Sequence, residues 1–163
     1  MTEKSLNIKY SELESFNELD EDRKNLVLKA QQACVMAYAP YSGFSVGAAV
    51  KCNDGRVVTG NNQENAAYPS GLCAERVAIF SAVSQNPETH IKQLAIAVST
   101  RDKNVVDPVA PCGACRQVIA EYEHRQGSKI EIIFTAETGK TIIVNGVSTL
   151  LPFTFNSDYL PVK

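Results

Sequence analysis

The stretches that decide this molecule are Cys73-Ala74-Glu75-Arg76 and, further along the chain, Pro111-Cys112-Gly113-Ala114-Cys115. Together they supply three thiolates for one metal ion, and a carboxylate two residues after the first thiolate. A structural zinc site normally has four protein ligands, whereas a catalytic site has three and leaves one position for water. The spacing therefore predicts a catalytic zinc site in which Glu75 lies beside the open position and the ligands are Cys73, Cys112 and Cys115.

Both stretches fall where helices are predicted to begin, and the unpaired N–H groups of a helix start favour thiolates. Cys112 and Cys115 are three residues apart and share one helical face, so both can bind one ion. Cys73 then has to come from a second helix that starts at the same edge of the sheet. Arg76 and Arg116 directly follow the two stretches, and a guanidinium that donates to sulfur would withdraw charge from the thiolates. The alternative is that both arginines are solvated surface residues.

A closed, structural zinc site would need a fourth ligand, for which the candidates are Cys34, Cys52 and His124. His124 lies more than two turns beyond Cys115 on the same predicted helix, too far to join the site without unwinding it. The two cysteines have no ligand spacing and are predicted to be buried core residues. The open, catalytic site is therefore favoured.

Length and charge limit the classes of protein to consider. The 163 residues are enough for one domain with a substantial core, and a net charge of −2 gives no electrostatic reason to bind nucleic acid. The start, residues 1–5, lacks the features of a signal peptide, and no apolar run approaches the roughly 18 residues of a membrane span. Five cysteines without an export signal predict a protein of the reducing cytoplasm. The lack of a long apolar run predicts that it has no membrane partner.

Hydrophobic periodicity predicts strands that alternate with helices. The first helix is capped by Asp20 and ends before Pro40, and the other two helices are predicted at about 73–84 and 112–123. Strands are predicted at 44–52, 56–59, 91–99, 130–135 and 140–144. This order predicts an α/β fold, a three-layer α/β/α sandwich around a five-stranded mixed sheet. The domain is predicted to span residues 20–155, between a loosely ordered N-terminal arm (1–19) and a C-terminal tail (156–163).

From Tyr38 to Phe155 the chain resembles the cytidine deaminases, specifically their small homotetrameric class with three cysteine ligands. The pattern Cys-x-Glu…Pro-Cys-x-x-Cys is the known signature of zinc-dependent nucleobase deaminases. The resemblance to this narrower family is carried by five segments, which are Tyr38-Ala39-Pro40-Tyr41-Ser42-Gly43-Phe44-Ser45-Val46-Gly47-Ala48-Ala49, Asn62-Gln63-Glu64-Asn65-Ala66-Ala67-Tyr68-Pro69, Cys73-Ala74-Glu75-Arg76, Pro111-Cys112-Gly113-Ala114-Cys115-Arg116-Gln117 and Leu150-Leu151-Pro152-Phe153-Thr154-Phe155.

The resemblance implies a cytidine deaminase-like fold and one zinc ion per chain. It also implies a function, the zinc-dependent hydrolytic deamination of cytidine and 2′-deoxycytidine in pyrimidine salvage. Glu75 would be the general acid–base group of that reaction, and the partner would be a small nucleoside rather than a nucleic acid.

The resemblance also implies which residues bind the substrate. Asn62 and Glu64 would hydrogen-bond the ribose 3′-hydroxyl, and Phe44 would line the base pocket. Backbone groups of two further residues, Ala74 and Ala110, would contact the base. In a homotetramer with shared active sites, two aromatic residues would reach into a neighbouring subunit's site, Tyr68 near the sugar and Phe155 stacking on the pyrimidine.

Three other functions are compatible with parts of the sequence. A deaminase that acts on tRNA or another nucleic acid would use the same zinc chemistry, but it would need a basic channel. An aminonucleoside deaminase of the blasticidin type would differ in its pocket. A non-catalytic zinc module would leave Glu75 and the missing fourth ligand unexplained.

Overall fold

The computed structural model describes residues 1–102 and 104–161. Its strands are β1 (Ser11–Leu13), β2 (Phe44–Cys52), β3 (Val57–Asn61), β4 (Ile91–Thr100), β5 (Glu131–Thr135) and β6 (Thr141–Asn145). Its α-helices are α1 (Glu21–Cys34), α2 (Ala74–Gln85) and α3 (Gly113–Gln126). None of the described helices has the length and apolar character that crossing a bilayer requires.

The strands form one mixed sheet in the order β1-β6-β5-β4-β2-β3. Within it β4 and β5 pair in parallel, and the other neighbours pair antiparallel. Alternating side chains of β4 point to opposite faces, because successive residues of a strand do so. Leu94 and Ile96 pack with α2 and α3, whereas Ala95 and Ala97 pack with α1. The predicted three-layer α/β/α sandwich is confirmed.

The sheet has six strands, so the predicted number of five is wrong. The additional strand is β1, which lies in the segment predicted to be a loosely ordered arm. Ser11–Leu13 pair with Thr141–Ile143 of β6, and Lys140 Nζ donates to Glu12 Oε1 at 2.5 Å. A three-residue strand is too short to produce a periodic pattern, which is why the sequence did not reveal it.

Both helices that carry the cysteine motifs begin at the same end of the sheet. β3 and β4 are each antiparallel to β2, so they run in the same direction. The helix α2 follows β3, and α3 follows β4. Both helix starts therefore lie beyond the carboxyl ends of these strands, the position at which α/β sheets usually bind ligands.

Candidate active site

Two helix N-caps bring the three predicted ligands together. Cys73 is the N-cap of α2 and Cys112 that of α3, while Cys115 lies in the first turn of α3. The Sγ–Sγ distance is 3.7 Å between Cys73 and Cys112 and 3.5 Å between Cys112 and Cys115. All three sulfurs lie within 4.8 Å of one another, and the ranges that the structure describes hold no second cluster of this kind.

The geometry of the sulfur cluster fits zinc. Zinc–sulfur bonds of about 2.3 Å in a tetrahedron place the sulfurs about 3.8 Å apart. The candidates for a fourth ligand are engaged elsewhere: Cys34 Sγ donates to Ala97 O at 3.2 Å, Cys52 lies in the core, and His124 Nε2 lies 3.1 Å from Ser157 Oγ. The cluster therefore offers three thiolates and one open position.

Glu75 lies one residue into α2 and is almost completely buried, with 4% of its surface exposed. Burial raises the pKa of its carboxyl above the usual range, because a charged carboxylate loses its hydration there. The side chain lines the same cavity as Cys73 and Cys112. The raised pKa brings the carboxyl closer to the working range of a general acid–base group, which has to take up a proton and release it again.

Arg76 makes the sulfur contact that was expected of it. Its Nη2 donates to Cys73 Sγ at 3.5 Å. Hydrogen bonds from the Cys115 thiol and from Arg76 lower the pKa of Cys73 to about 5. Both hydrogen bonds favour the thiolate form of Cys73.

Arg116 does not make the sulfur contact expected from the sequence. Its Nε donates to Pro111 O at 2.7 Å, and its Nη1 donates to Leu150 O at 2.9 Å. Arg116 follows Cys115 by one residue, so its side chain leaves the helix about 100° further around the axis than that of Cys115. This direction takes it away from the cluster. Arg116 joins the ligand helix to the C-terminal part of the chain instead.

A cavity of about 610 Å³ opens beside the sulfur cluster. Most of the residues that the resemblance assigned to substrate binding line this cavity, namely Phe44, Asn62, Glu64, Tyr68 and Ala110. Two do not line it. Ala74 is fully buried, and Phe155 lies outside the cavity, with its ring stacked on Tyr159 at a centroid distance of 5.8 Å.

The predicted sugar-binding pair is held by the backbone around β2. The Val46 N–H donates to Asn62 Oδ1 at 2.7 Å, and Asn62 Nδ2 donates to Phe44 O at 2.9 Å. Glu64 accepts from the N–H of Tyr41 at 2.9 Å and from the Ser42 hydroxyl. The bond from the Ser42 hydroxyl, followed by those from the backbone N–H groups, lowers the pKa of the Glu64 carboxyl.

Sequence reasoning missed Ser42 and Tyr41 as residues of this site. Both line the cavity and hold Glu64 through their backbone N–H groups, which lie 3.3 Å and 2.9 Å from its Oε2. They belong to the segment from Tyr38 to Ala49 that carried the family resemblance, so the signal was present. What the sequence could not show is that this segment folds back onto a loop some twenty residues later.

Comparisons with known proteins place these observations in a family. A family model described as the cytidine and deoxycytidylate deaminase zinc-binding region matches residues 20–127. Cytidine deaminase from Halalkalibacterium halodurans is 50% identical over 100 residues, or 61% of this chain and 71% of that one. Cytidine deaminase from Mycobacterium tuberculosis H37Rv is 38% identical over 142 residues, or 87% and 96%. The crystal structure of cytidine deaminase from Burkholderia pseudomallei matches with a TM-score of 0.70 and 39% identity, covering 80% of this chain and 97% of that one.

Proposed function

The chain belongs to the cytidine and deoxycytidylate deaminase family, and from that premise we propose that it hydrolyses cytidine and 2′-deoxycytidine to uridine and 2′-deoxyuridine with release of ammonia. The observation that carries the proposal is the position of the buried Glu75 beside three converging cysteines, in the wall of a cavity of about 610 Å³. This volume lies within the usual range of small-molecule sites. The comparisons give no support to a tRNA deaminase or a blasticidin-type deaminase.

The prediction of one zinc ion per chain is confirmed by the match to the zinc-binding region together with the three-cysteine cluster. Cys73, Cys112 and Cys115 would hold the ion. When bound, zinc supplies Lewis acidity, which lowers the pKa of water to near neutrality.

Glu75 moves the protons of the reaction. Its carboxylate takes a proton from the attacking water and gives it to N3 of cytosine, while the water oxygen bonds to C4. The second proton of that water then passes through Glu75 to the exocyclic amino group, which leaves as ammonia. The burial of Glu75 suits both steps, because the raised pKa makes its carboxylate a stronger base than an exposed glutamate.

Asn62 and Glu64 are proposed to orient the nucleoside by its ribose. One N–H of the Asn62 amide is bonded to Phe44 O, which leaves the second N–H to donate to a hydroxyl. Glu64 is held as a carboxylate by Ser42 and can accept from the same hydroxyl. A site built around that hydroxyl would reject free cytosine, because its polar groups would be left unpaired. Phe44, Ala74 and Ala110 are proposed to contact the base.

The substrate preference can be tested by following the loss of ultraviolet absorbance with cytidine, deoxycytidine, cytosine, deoxycytidylate (the 5′-monophosphate) and adenosine in parallel. We expect turnover of the two cytosine nucleosides, and a kcat/KM for free cytosine that is lower by a factor of about 10⁴. Activity on deoxycytidylate or adenosine that exceeds activity on cytidine would contradict the proposal.

Arg76→Ala is expected to retain zinc but to turn over about 10–100-fold more slowly, the usual effect of losing a group that supports a metal ligand. The acid limb of the pH profile of kcat/KM should move to higher pH, because removal of the cation raises the pKa of acidic groups around the cluster. Arg125→Ala is the matched control, since Arg125 is exposed in the last turn of α3, at the opposite end of that helix from Cys112 and Cys115. An unchanged pH profile in Arg76→Ala would show that Arg76 does not affect the pKa of the groups around the cluster.

The active chain is proposed to be a homotetramer whose sites are completed by neighbouring subunits. The support within one chain is an exposed apolar surface close to the C-terminus, where Phe153 is 85% exposed and Phe155 is 58% exposed. Surfaces of this kind usually mark interfaces. In the tetramer, Phe155 would stack on the pyrimidine bound by a neighbour, and Tyr68 would lie near the sugar.

Phe155→Ala is expected to raise KM about 2–10-fold without loss of zinc, because an aromatic contact contributes about 0.5–1.5 kcal/mol beyond its buried area. Refolding inactive Glu75→Gln subunits together with Phe155→Ala subunits should lower the KM of the mixture below that of Phe155→Ala alone. A hybrid site then pairs one subunit's Glu75 with a neighbour's Phe155. Sedimentation that finds a catalytically competent monomer at the assay concentration would contradict shared sites.

Cellular context and domain boundaries are part of the same proposal. The chain is proposed to act in the cytoplasm in pyrimidine salvage, with residues 20–155 as its catalytic domain. Of the C-terminal tail predicted at 156–163, Ser157–Tyr159 form a short 3-10 turn, while residues 162 and 163 lie outside the described ranges.

A further inference from the structure

Two consecutive residues of α3, Arg116 and Gln117, fasten the segment Leu150–Phe155 at both of its ends. Arg116 Nη1 donates to Leu150 O at 2.9 Å, and Gln117 Nε2 donates to Phe155 O at 2.7 Å. We call this stretch the C-terminal segment. Its first part, Leu150 and Leu151, also packs against the core.

The same two residues follow a proposed zinc ligand directly. Arg116 and Gln117 are the first residues after Cys115, and Arg116 Nε also donates at 2.7 Å to the carbonyl of Pro111, which precedes Cys112. The planar guanidinium therefore bridges two backbone carbonyls, one beside a ligand and the other at the start of the C-terminal segment. An arginine can hold two acceptors in this fixed way, whereas a lysine offers a single point charge.

We propose that Arg116 and Gln117 are positioning residues that couple the metal site to the placement of the C-terminal segment, and so to Phe155. When the α3 start is ordered around the metal, the two side chains hold the segment in place. Because coupling between two sites is reciprocal, loosening the segment should also weaken the hold on the metal. The effect on Phe155 rests on the proposed function, whereas the coupling itself does not.

Hydrogen exchange tests the coupling without any assay of activity. The amides of Leu150 and Leu151 both donate to Val147 O at 2.8 Å, so their exchange rates report whether the start of the segment opens. We expect chelation of zinc from the wild-type protein to accelerate these amides while those of β2 and β4 stay protected. Unchanged protection of Leu150 and Leu151 after chelation would overturn the proposal.

Gln117→Glu tests the hydrogen bond itself, because an ionised carboxylate has the same shape as the amide but cannot donate to Phe155 O. With zinc bound, we expect faster exchange around the segment and transfer of zinc to a chromogenic chelator that is about 2–10-fold faster. Arg116→Lys should likewise speed the release of zinc. Gln32→Glu, the same change at an exposed position of α1, is the control. Release at wild-type rates in both α3 variants would overturn the coupling.

A kinetic cycle separates this inference from the proposed role of Phe155. Gln117→Glu should raise KM with little change in kcat. In a chain that already carries Phe155→Ala it should cause no further rise in KM, because the effects of two residues that act through one another are not additive. Multiplying effects in the double variant would show that Gln117 does not act through Phe155. If Phe155→Ala alone leaves KM unchanged, the role of Phe155 in the proposed function is wrong, and the exchange and zinc-release results still decide the coupling.

Discussion

Glu75→Gln is expected to lower kcat by a factor of about 10²–10⁴ while the chain still binds one zinc ion. Glutamine matches the shape of the buried carboxyl but cannot take up and release a proton. Glu75 lines the cavity, but the proposed ligands are the three clustered cysteines. The metal site should therefore survive the change. Steady-state kinetics together with zinc content, measured on the same preparation, test both halves of the expectation.

Glu121→Gln is the matched control, since Glu121 is exposed on α3 and the same atoms change there without touching the cavity. It should keep wild-type kcat. Near-normal turnover by Glu75→Gln would assign the proton transfers to another group and remove the basis of the proposed mechanism. Loss of zinc in that variant would instead place Glu75 among the ligands.

Gly60→Ala is expected to destabilise the fold by about 3 kcal/mol, the upper range for overpacking, and to lower the Tm by about 6–12 °C. A Cβ at Gly60 on β3 would lie 2.5 Å from Ala78 N and 2.6 Å from Ala74 O, both in the backbone of α2. The helix would have to move away from the sheet, and its start carries Cys73. We therefore expect weaker zinc binding as well as a lower Tm, measured by calorimetry and by competition with a chelator.

Gly113→Ala provides the comparison for that substitution. A Cβ there has no neighbour within 4 Å, although Gly113 lies between two proposed zinc ligands. Because alanine is favoured over glycine in a helix by about 0.5–1 kcal/mol, this variant should be as stable as the wild type or slightly more so. Equal stability of the two variants would show that the contact between β3 and α2 is looser than the structure indicates.

The long, periodic elements and the metal ligands could be predicted from the sequence because their signals are local. Asp20 was expected to cap the first helix, and it does so by accepting from the Arg23 N–H at 2.9 Å. The helix α3 runs three residues further than its predicted end at Glu123, because it stops only at Gly127, which has a φ of +63°. The three cysteines were identified from their spacing at predicted helix starts and from the known deaminase signature, both of which can be read from short stretches of sequence.

Features that depend on contacts distant in sequence could not be predicted. Arg116 was assigned to the sulfurs because it follows a ligand, yet its partner Leu150 lies 34 residues away. The bond from Ser42 to Glu64 likewise joins two loops whose approach depends on the whole sheet. The family resemblance named Glu64 but not the group that holds it, because a motif records residues and not their partners.

The strand β1 has a consequence for how the protein behaves at high concentration. It covers the outer side of β6, whose Ile142 and Ile143 are only partly buried. Without Ser11–Leu13, β6 would present unpaired backbone groups beside these isoleucines, an arrangement that favours edge-to-edge aggregation. With only three residues, and with Glu12 paired to Lys140, β1 is a poor template for further strands. We therefore expect a chain that begins at Asp20 to lose yield and monodispersity before it loses turnover.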